Sequence, residues 1–153
     1  MELRPESFKR ANLKLSALKD GITYAFSILT VADGKQSVKS LGRPVNEDGF
    51  NGDFFVSPDE SFMVVSAKET KTFECGLYIT FRGPNGTWTT PVSLGPKIND
   101  GFAHRWGQSV TPDNKYLFYT CGTSPKDCAI CWVRFDTVLA QLKHAAFPPQ
   151  GRS

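Results

Sequence analysis

Four cysteines are the first residues in this 153-residue sequence whose spacing could do chemistry. Cys121, Cys128 and Cys131 form a C-x6-C-x2-C run, with Cys75 one repeat upstream. Thiolates at close spacing suit tetrahedral zinc. Cys128 and Cys131, however, fall in a run that reads as a strand, where an i, i+3 pair points to opposite faces. A zinc knuckle places its C-x2-C in a tight turn instead. Cys121 and Cys128 flank the stretch Gly122 to Asp127, which reads as a hairpin, and could oxidise across it in an oxidising compartment. The plainest expectation is that the cysteines are buried free thiols acting as small hydrophobes. With only two histidines in the chain, no metal and no cofactor is expected.

The second loaded stretch is Phe102-Ala103-His104-Arg105-Trp106, whose counterpart earlier in the chain is Phe50-Asn51-Gly52-Asp53. Asn51, Asp53, His104, Arg105 and Trp106 are the candidate ligand-binding residues. Arg105 offers a forked donor for an anionic or sugar-like ligand and Trp106 a stacking plate. The competing expectation is that Trp106 packs between sheets while His104 and Arg105 are solvated. Asp59 and Asp113 suggest a carboxylate pair of the glycoside-cleaving kind. Each follows Ser/Thr-Pro, so each reads more simply as a turn residue accepting backbone N–H bonds. Asp48 and Asp100, in paired Asp-Gly-Phe motifs, raise the same question. No nucleophile elbow, phosphate loop, dinucleotide fingerprint or His-Glu-x-x-His is present, so no catalytic residue is assigned.

The elements that must position these residues are set by an internal repeat. Leu41-Gly42-Arg43-Pro44-Val45-Asn46 returns as Leu94-Gly95-Pro96-Lys97-Ile98-Asn99, and Cys75 as Cys128, both with an offset of 53. Ser57-Pro58-Asp59-Glu60-Ser61-Phe62 returns as Thr111-Pro112-Asp113-Asn114-Lys115-Tyr116, with an offset of 54. The repeated unit reads as all β. Phe62 to Ser66, Leu77 to Phe81, Tyr116 to Thr120 and Ile130 to Val133 are short aromatic and β-branched runs bounded by turn signals. Thr87 to Thr90 reads as a further strand. About four strands in roughly 53 residues is the dimension of a propeller blade. The first unit is expected to contribute two strands, near 22–31 and 35–41. A full blade follows from Gly52 to Leu94, and a three-stranded one from Trp106 to Phe135. Residues 1–20 are expected to be helical, because Phe8, Ala11, Leu15 and Leu18 are helically spaced, although Leu13-Lys14-Leu15 also alternates. Residues 136–153 are expected to form a short helix capped near Asp136-Thr137, then a tail.

These motifs carry a resemblance. Ser57-Pro58-Asp59-Glu60-Ser61-Phe62 and Thr111-Pro112-Asp113-Asn114-Lys115-Tyr116 resemble the Ser-Pro-Asp-Gly signature of TolB-like, WD-repeat-like β-propellers. Gly76-Leu77-Tyr78-Ile79-Thr80 and Thr87-Trp88-Thr89-Thr90-Pro91-Val92-Ser93-Leu94-Gly95 resemble the strands that follow in such blades. The resemblance spans about residues 35–135. It implies an all-β fold, a partial β-propeller of four-stranded antiparallel blades with short N- and C-terminal helical segments. Glu60 and Asn114 stand where the family has Gly, which a type I turn would tolerate. Only two to two and a half blades are present, so apolar faces are left to cover.

The implied function is a non-catalytic binding module, with a homo-oligomer or another protein as partner and a small polar or sugar-like ligand as a further option. The alternative is a carbohydrate-cleaving propeller enzyme or a fragment of one. A net charge of +3 gives no electrostatic case for nucleic acid. No apolar run reaches the roughly 18–20 residues of a membrane span. The opening Met-Glu-Leu-Arg-Pro does not read as a secretory signal, which makes the cytoplasm the default compartment. The resemblance leans instead towards periplasmic or exported bacterial proteins.

Overall fold

The computed structural model describes residues 12–18, 23–32, 34–46, 52–67, 74–101, 104–124 and 126–148. The chain is mostly antiparallel β, with one C-terminal helix. Three meanders follow one another in sequence. The first joins β1 (Asn12–Leu18), β2 (Thr23–Ala32) and β3 (Lys35–Ser40). The second is four-stranded: β4 (Phe54–Val56), β5 (Phe62–Ser66), β6 (Leu77–Phe81) and β7 (Val92–Ser93). The third joins β8 (His104–Val110), β9 (Tyr116–Ser124) and β10 (Asp127–Arg134). Helix α1 (Asp136–Ala146) closes the described chain, with Asp136 in its first turn and Lys143 and His144 in its last. Both ends suit the helix dipole.

Two expectations about the elements need correction. The N-terminal segment was expected to be helical, but Asn12–Leu18 is a strand in register with Thr23–Leu29 of β2. Helical spacing and strand alternation coexist in these residues, and the hydrogen-bonded neighbour selects between them. The first sheet therefore has three strands, not two. The remainder of the expected helix, residues 1–11 and 19–20, lies outside the described residues. The fourth strand of the second sheet is Val92–Ser93. Thr87 to Thr90, expected as that strand, contributes only an isolated bridge from Trp88 to Arg82.

The sheets stack in chain order. Met63 and Val65 of β5 meet Phe26 of β2 and Val45 in one buried cluster. The alternate residues Phe62 and Val64 join Leu77, Ile79 and Phe81 in a larger cluster with Val110, Leu117, Tyr119 and Phe135. Because successive strand residues point to opposite faces, β5 has an apolar neighbour on both sides, and all five of its residues are buried. Val138, Leu139 and Leu142 of α1 extend the larger cluster.

The repeat in sequence is a repeat in hydrogen bonding. The Phe62 N–H donates to Ser57 Oγ at 3.1 Å, as the Tyr116 N–H does to Thr111 Oγ1 at 3.0 Å. Asp59 and Asp113 each accept from the N–H two residues on, at 3.1 Å. Glu60 and Asn114 occupy the left-handed region, at φ 56° and 57°. The central residues of a plain type I turn do not, so glycine would fit both positions without the steric cost that Glu and Asn carry there. Asn46 and Asn99 also match. Asn99 Oδ1 accepts from the Leu77 N–H at 2.8 Å, and its Nδ2 donates to Leu77 O and Ser93 Oγ, both at 2.8 Å. Asn46 makes the same three bonds to Phe26 N, Phe26 O and Ser40 Oγ, at 2.7, 2.9 and 2.9 Å.

Candidate functional site

The chemistry-bearing residues gather at the start of β8, and strand alternation divides them. His104 and Trp106 lie on one face, their rings edge to face with centroids 4.5 Å apart. Arg105, between them, is turned to the other face and is buried, at 4% exposure. Its guanidinium Nη2 donates to Asp100 Oδ1 at 2.6 Å and also to the Asp100 backbone oxygen. An opposite charge at that distance offsets the cost of burying the guanidinium. Tyr119 lies beside it. Burial pushes the Tyr119 hydroxyl above its ordinary pKa, against the opposing pull of Arg105. Arg105 therefore does not converge with His104 and Trp106 on a common ligand.

Asp53 is exposed and joins the second sheet to the third: its Oδ2 accepts from the Gly107 N–H at 3.1 Å. Gly107 has φ 59° and sits where the β8–β9 register shifts between Trp106 and Ser109. That bulge re-aims the strand, as bulges do near sheet rims. Asn51 lies outside the described residues. Gln108, which the sequence reading did not single out, supports this junction. It is buried, and its Nε2 donates to Asp53 O at 2.7 Å and Val64 O at 3.1 Å while Oε1 accepts from Ser66 Oγ at 3.1 Å. An isolated Gln inside a strand carries no signal in sequence, whereas Asn46 and Asn99 recur in a motif and could have been found.

On the Arg105 face an open groove of about 760 Å³ runs beside the third sheet. Lys97, Asp100 and Gly101 form one wall, and Ala129 through Val133 of β10 form the other. Cys121 and Cys131 lie in this groove and are joined as a disulfide, with Cα atoms 6.0 Å apart. This corrects both expectations for these residues, the Cys121–Cys128 pair and the free thiols. Cys121 pairs with Ala129 and Tyr119 with Cys131, so Cys121 and Cys131 are diagonal neighbours on one face. Cys128 instead stands opposite Gly122 beyond a bulge, exposed and outside any disulfide, while Cys75 is buried with its Sγ donating to Ala67 O at 2.8 Å. Among the described residues no group of three or more His, Cys, Asp or Glu is placed to hold a metal ion.

The other face of the third sheet is apolar and open. Tyr116, Phe118, Ile130 and Trp132 are 36%, 39%, 71% and 61% exposed. Tyr116 and Trp132 pack edge to face, with centroids 5.7 Å apart. His104 and Trp106 share this face, since Trp106 opposes Thr120 and Thr120 opposes Ile130. No helix among the described residues is long and apolar enough to cross a membrane. Compared with known proteins, the chain matches no family model and no curated protein.

Proposed function

We propose that this chain is a non-catalytic interaction module built from TolB-like propeller blades, which associates through the open face of its third sheet. One observation carries the reading. By the internal repeat, Tyr116, Phe118, Ile130 and Trp132 take the places of Phe62, Val64, Leu77 and Ile79 in the second sheet. Those four are buried beneath the third sheet, whereas their counterparts face solvent. A face patterned like a covered one, with four large apolar side chains exposed, is a partner-binding surface. Its natural complement is a sheet of the same construction, supplied by a second copy in head-to-tail contact. Such contacts close into rings only when the rotation suits.

The carbohydrate-cleaving alternative draws no support from the described carboxylates; Asp48 lies outside the described residues. Asp59 and Asp113 are occupied with turn N–H groups, Asp53 with the Gly107 N–H and Asp100 with Arg105. The test is the absolute mass in solution, by light scattering on a sizing column over a tenfold concentration range. A discrete assembly is expected, reduced to monomer by the pair Phe118→Lys and Trp132→Lys. A wild-type chain that stays monomeric throughout refutes the self-association.

A further inference from the structure

Among the described residues the third sheet has no fourth strand, and the two preceding sheets show what that strand looks like. In the second sheet the outer edge of β6 is closed by β7, by the Leu94 N–H donating to Leu77 O at 3.1 Å, and by the side chain of Asn99 on Leu77. In the first sheet β3 closes β2, the Leu41 N–H donates to Phe26 O at 2.9 Å, and Asn46 holds Phe26. Both closures carry the sequence Ser-Leu-Gly-x-x-x-Asn, residues 40–46 and 93–99. After β10 the chain turns into α1 instead, and β10 is an end strand.

The register identifies the hydrogen-bonding positions that no described strand takes up. Ile130 opposes Thr120 as Leu77 opposes Ser66. The Phe135 N–H donates to Lys115 O at 2.7 Å, as the Arg82 N–H does to Ser61 O at 2.9 Å. In an antiparallel ladder, alternate residues turn their N–H and C=O to opposite sides. The backbone groups of Ile130, Trp132 and Arg134 therefore point away from β9, and Ile130 stands where Leu77 is held. The groove of about 760 Å³ on the Arg105 face reaches this strand, and Ala129 to Val133 are among its lining residues. The Cys121–Cys131 disulfide ties β10 to β9.

Exposed edges are usually blunted by lysine, proline or bulges. The exposed edge strand β3 follows that practice with Lys35 and Lys39. The outer run Ala129 to Val133 contains neither lysine nor proline, and offers Ile130 and Trp132.

We propose that the free edge of β10 is a strand-acceptor site, which takes an extended segment of a partner chain ending in the same Ser-Leu-Gly-x-x-x-Asn closure. The segment adds a fourth strand to the third sheet through main-chain hydrogen bonds. Its Leu N–H reaches Ile130 O, and its Asn side chain engages the Ile130 N–H and C=O. The proposal rests on the internal repeat alone and not on face-to-face association, so either can fail without the other.

The probe is a synthetic peptide with the sequence of residues 90–99, TPVSLGPKIN, added to the full chain with the disulfide intact. Binding is read by anisotropy of the labelled peptide, and the site by amide hydrogen exchange. Saturable binding below about 1 mM is expected. The Ile130 and Trp132 amides should exchange at least about tenfold more slowly in the complex than in the free chain. A peptide with Ala for its terminal Asn should bind about five- to tenfold more weakly. Methylation of its Leu backbone nitrogen should weaken binding similarly, without touching the protein. Ile130→Pro removes an outward N–H without taking a bond from β9, and should abolish binding while preserving the far-ultraviolet spectrum. The proposal is overturned if the Ile130, Trp132 and Arg134 amides already exchange slowly in the free chain, or if a scrambled peptide binds equally. Absence of saturable binding overturns it as well. Light scattering of the same samples keeps the result separate from face-to-face association.

Discussion

Replacing Asn99 by Ala removes one side chain that closes three hydrogen bonds at once. Leu77 is fully buried, so its N–H has no access to water once Asn99 Oδ1 is gone. An orphaned buried donor costs about 1–3 kcal/mol. Leu77 O keeps the Leu94 N–H as a partner. The loss of the two bonds from Nδ2 therefore adds only about 1 kcal/mol. The sum is about 2–4 kcal/mol, a large share of the roughly 5–15 kcal/mol that holds a domain folded. For a chain of this length it lowers the melting temperature by about 5–15 °C. Urea unfolding followed by circular dichroism and tryptophan fluorescence measures it directly. Ser93→Ala, which removes only the exposed acceptor of the set, should cost less than about 1 kcal/mol. Asn46→Ala should behave like Asn99→Ala, because it holds the equally buried Phe26 in the same way. A cost below about 0.5 kcal/mol for Asn99→Ala would refute the reasoning that these asparagines close the sheets.

Two further outcomes follow from the turns and the charges. Glu60→Gly should stabilise the fold by about 0.5–1 kcal/mol, because the left-handed backbone is then unstrained. The half-exposed ion pair that Glu60 makes with Arg82 offsets this little, and an unchanged or lower urea midpoint would contradict the steric account. Lowering the pH should destabilise the chain. The hydrogen bonds from Arg134 hold the Asp136 carboxyl down to about 2, and those from Thr111 hold Asp113 below its ordinary value. At Asp59 burial opposes ionisation, but hydrogen bonds from Ser57 and Ser61 outweigh it and the pKa is again lowered. Each group binds its proton more tightly when unfolded. Their stabilisation is thus complete above the unfolded carboxylate range near pH 4 and is lost as pH falls through the lower folded values. Urea midpoints between pH 5 and pH 2 check this, and Asp136→Asn should flatten the curve. A wild-type midpoint constant over that range would contradict it.

What the sequence determined by itself is local and periodic. The strands Phe62–Ser66 and Leu77–Phe81, the strand residues 116–120 and 130–133, the turns at Ser57 and Thr111, and the helix after Asp136 follow from short-range patterns, because turn chemistry and side-chain alternation act over a few residues. The repeat motif marked Asn46 and Asn99 without revealing their role, since an amide side chain shows its partners only when the distant strand is in place. Tertiary structure decided the rest. Asn12–Leu18 carries both helical and strand periodicities, and pairing with β2 selected the strand. Cys121 found Cys131 because the β9–β10 register puts them diagonally on one face, while a bulge moves Cys128 away. His104, Arg105 and Trp106 are contiguous in sequence, and that contiguity is what separates them on a strand. The exposure of Tyr116, Phe118, Ile130 and Trp132 is likewise invisible in the chain, where they look like their buried counterparts. Burial belongs to the neighbouring sheet, and among the described residues the second sheet has one on each face where the third has one on a single face.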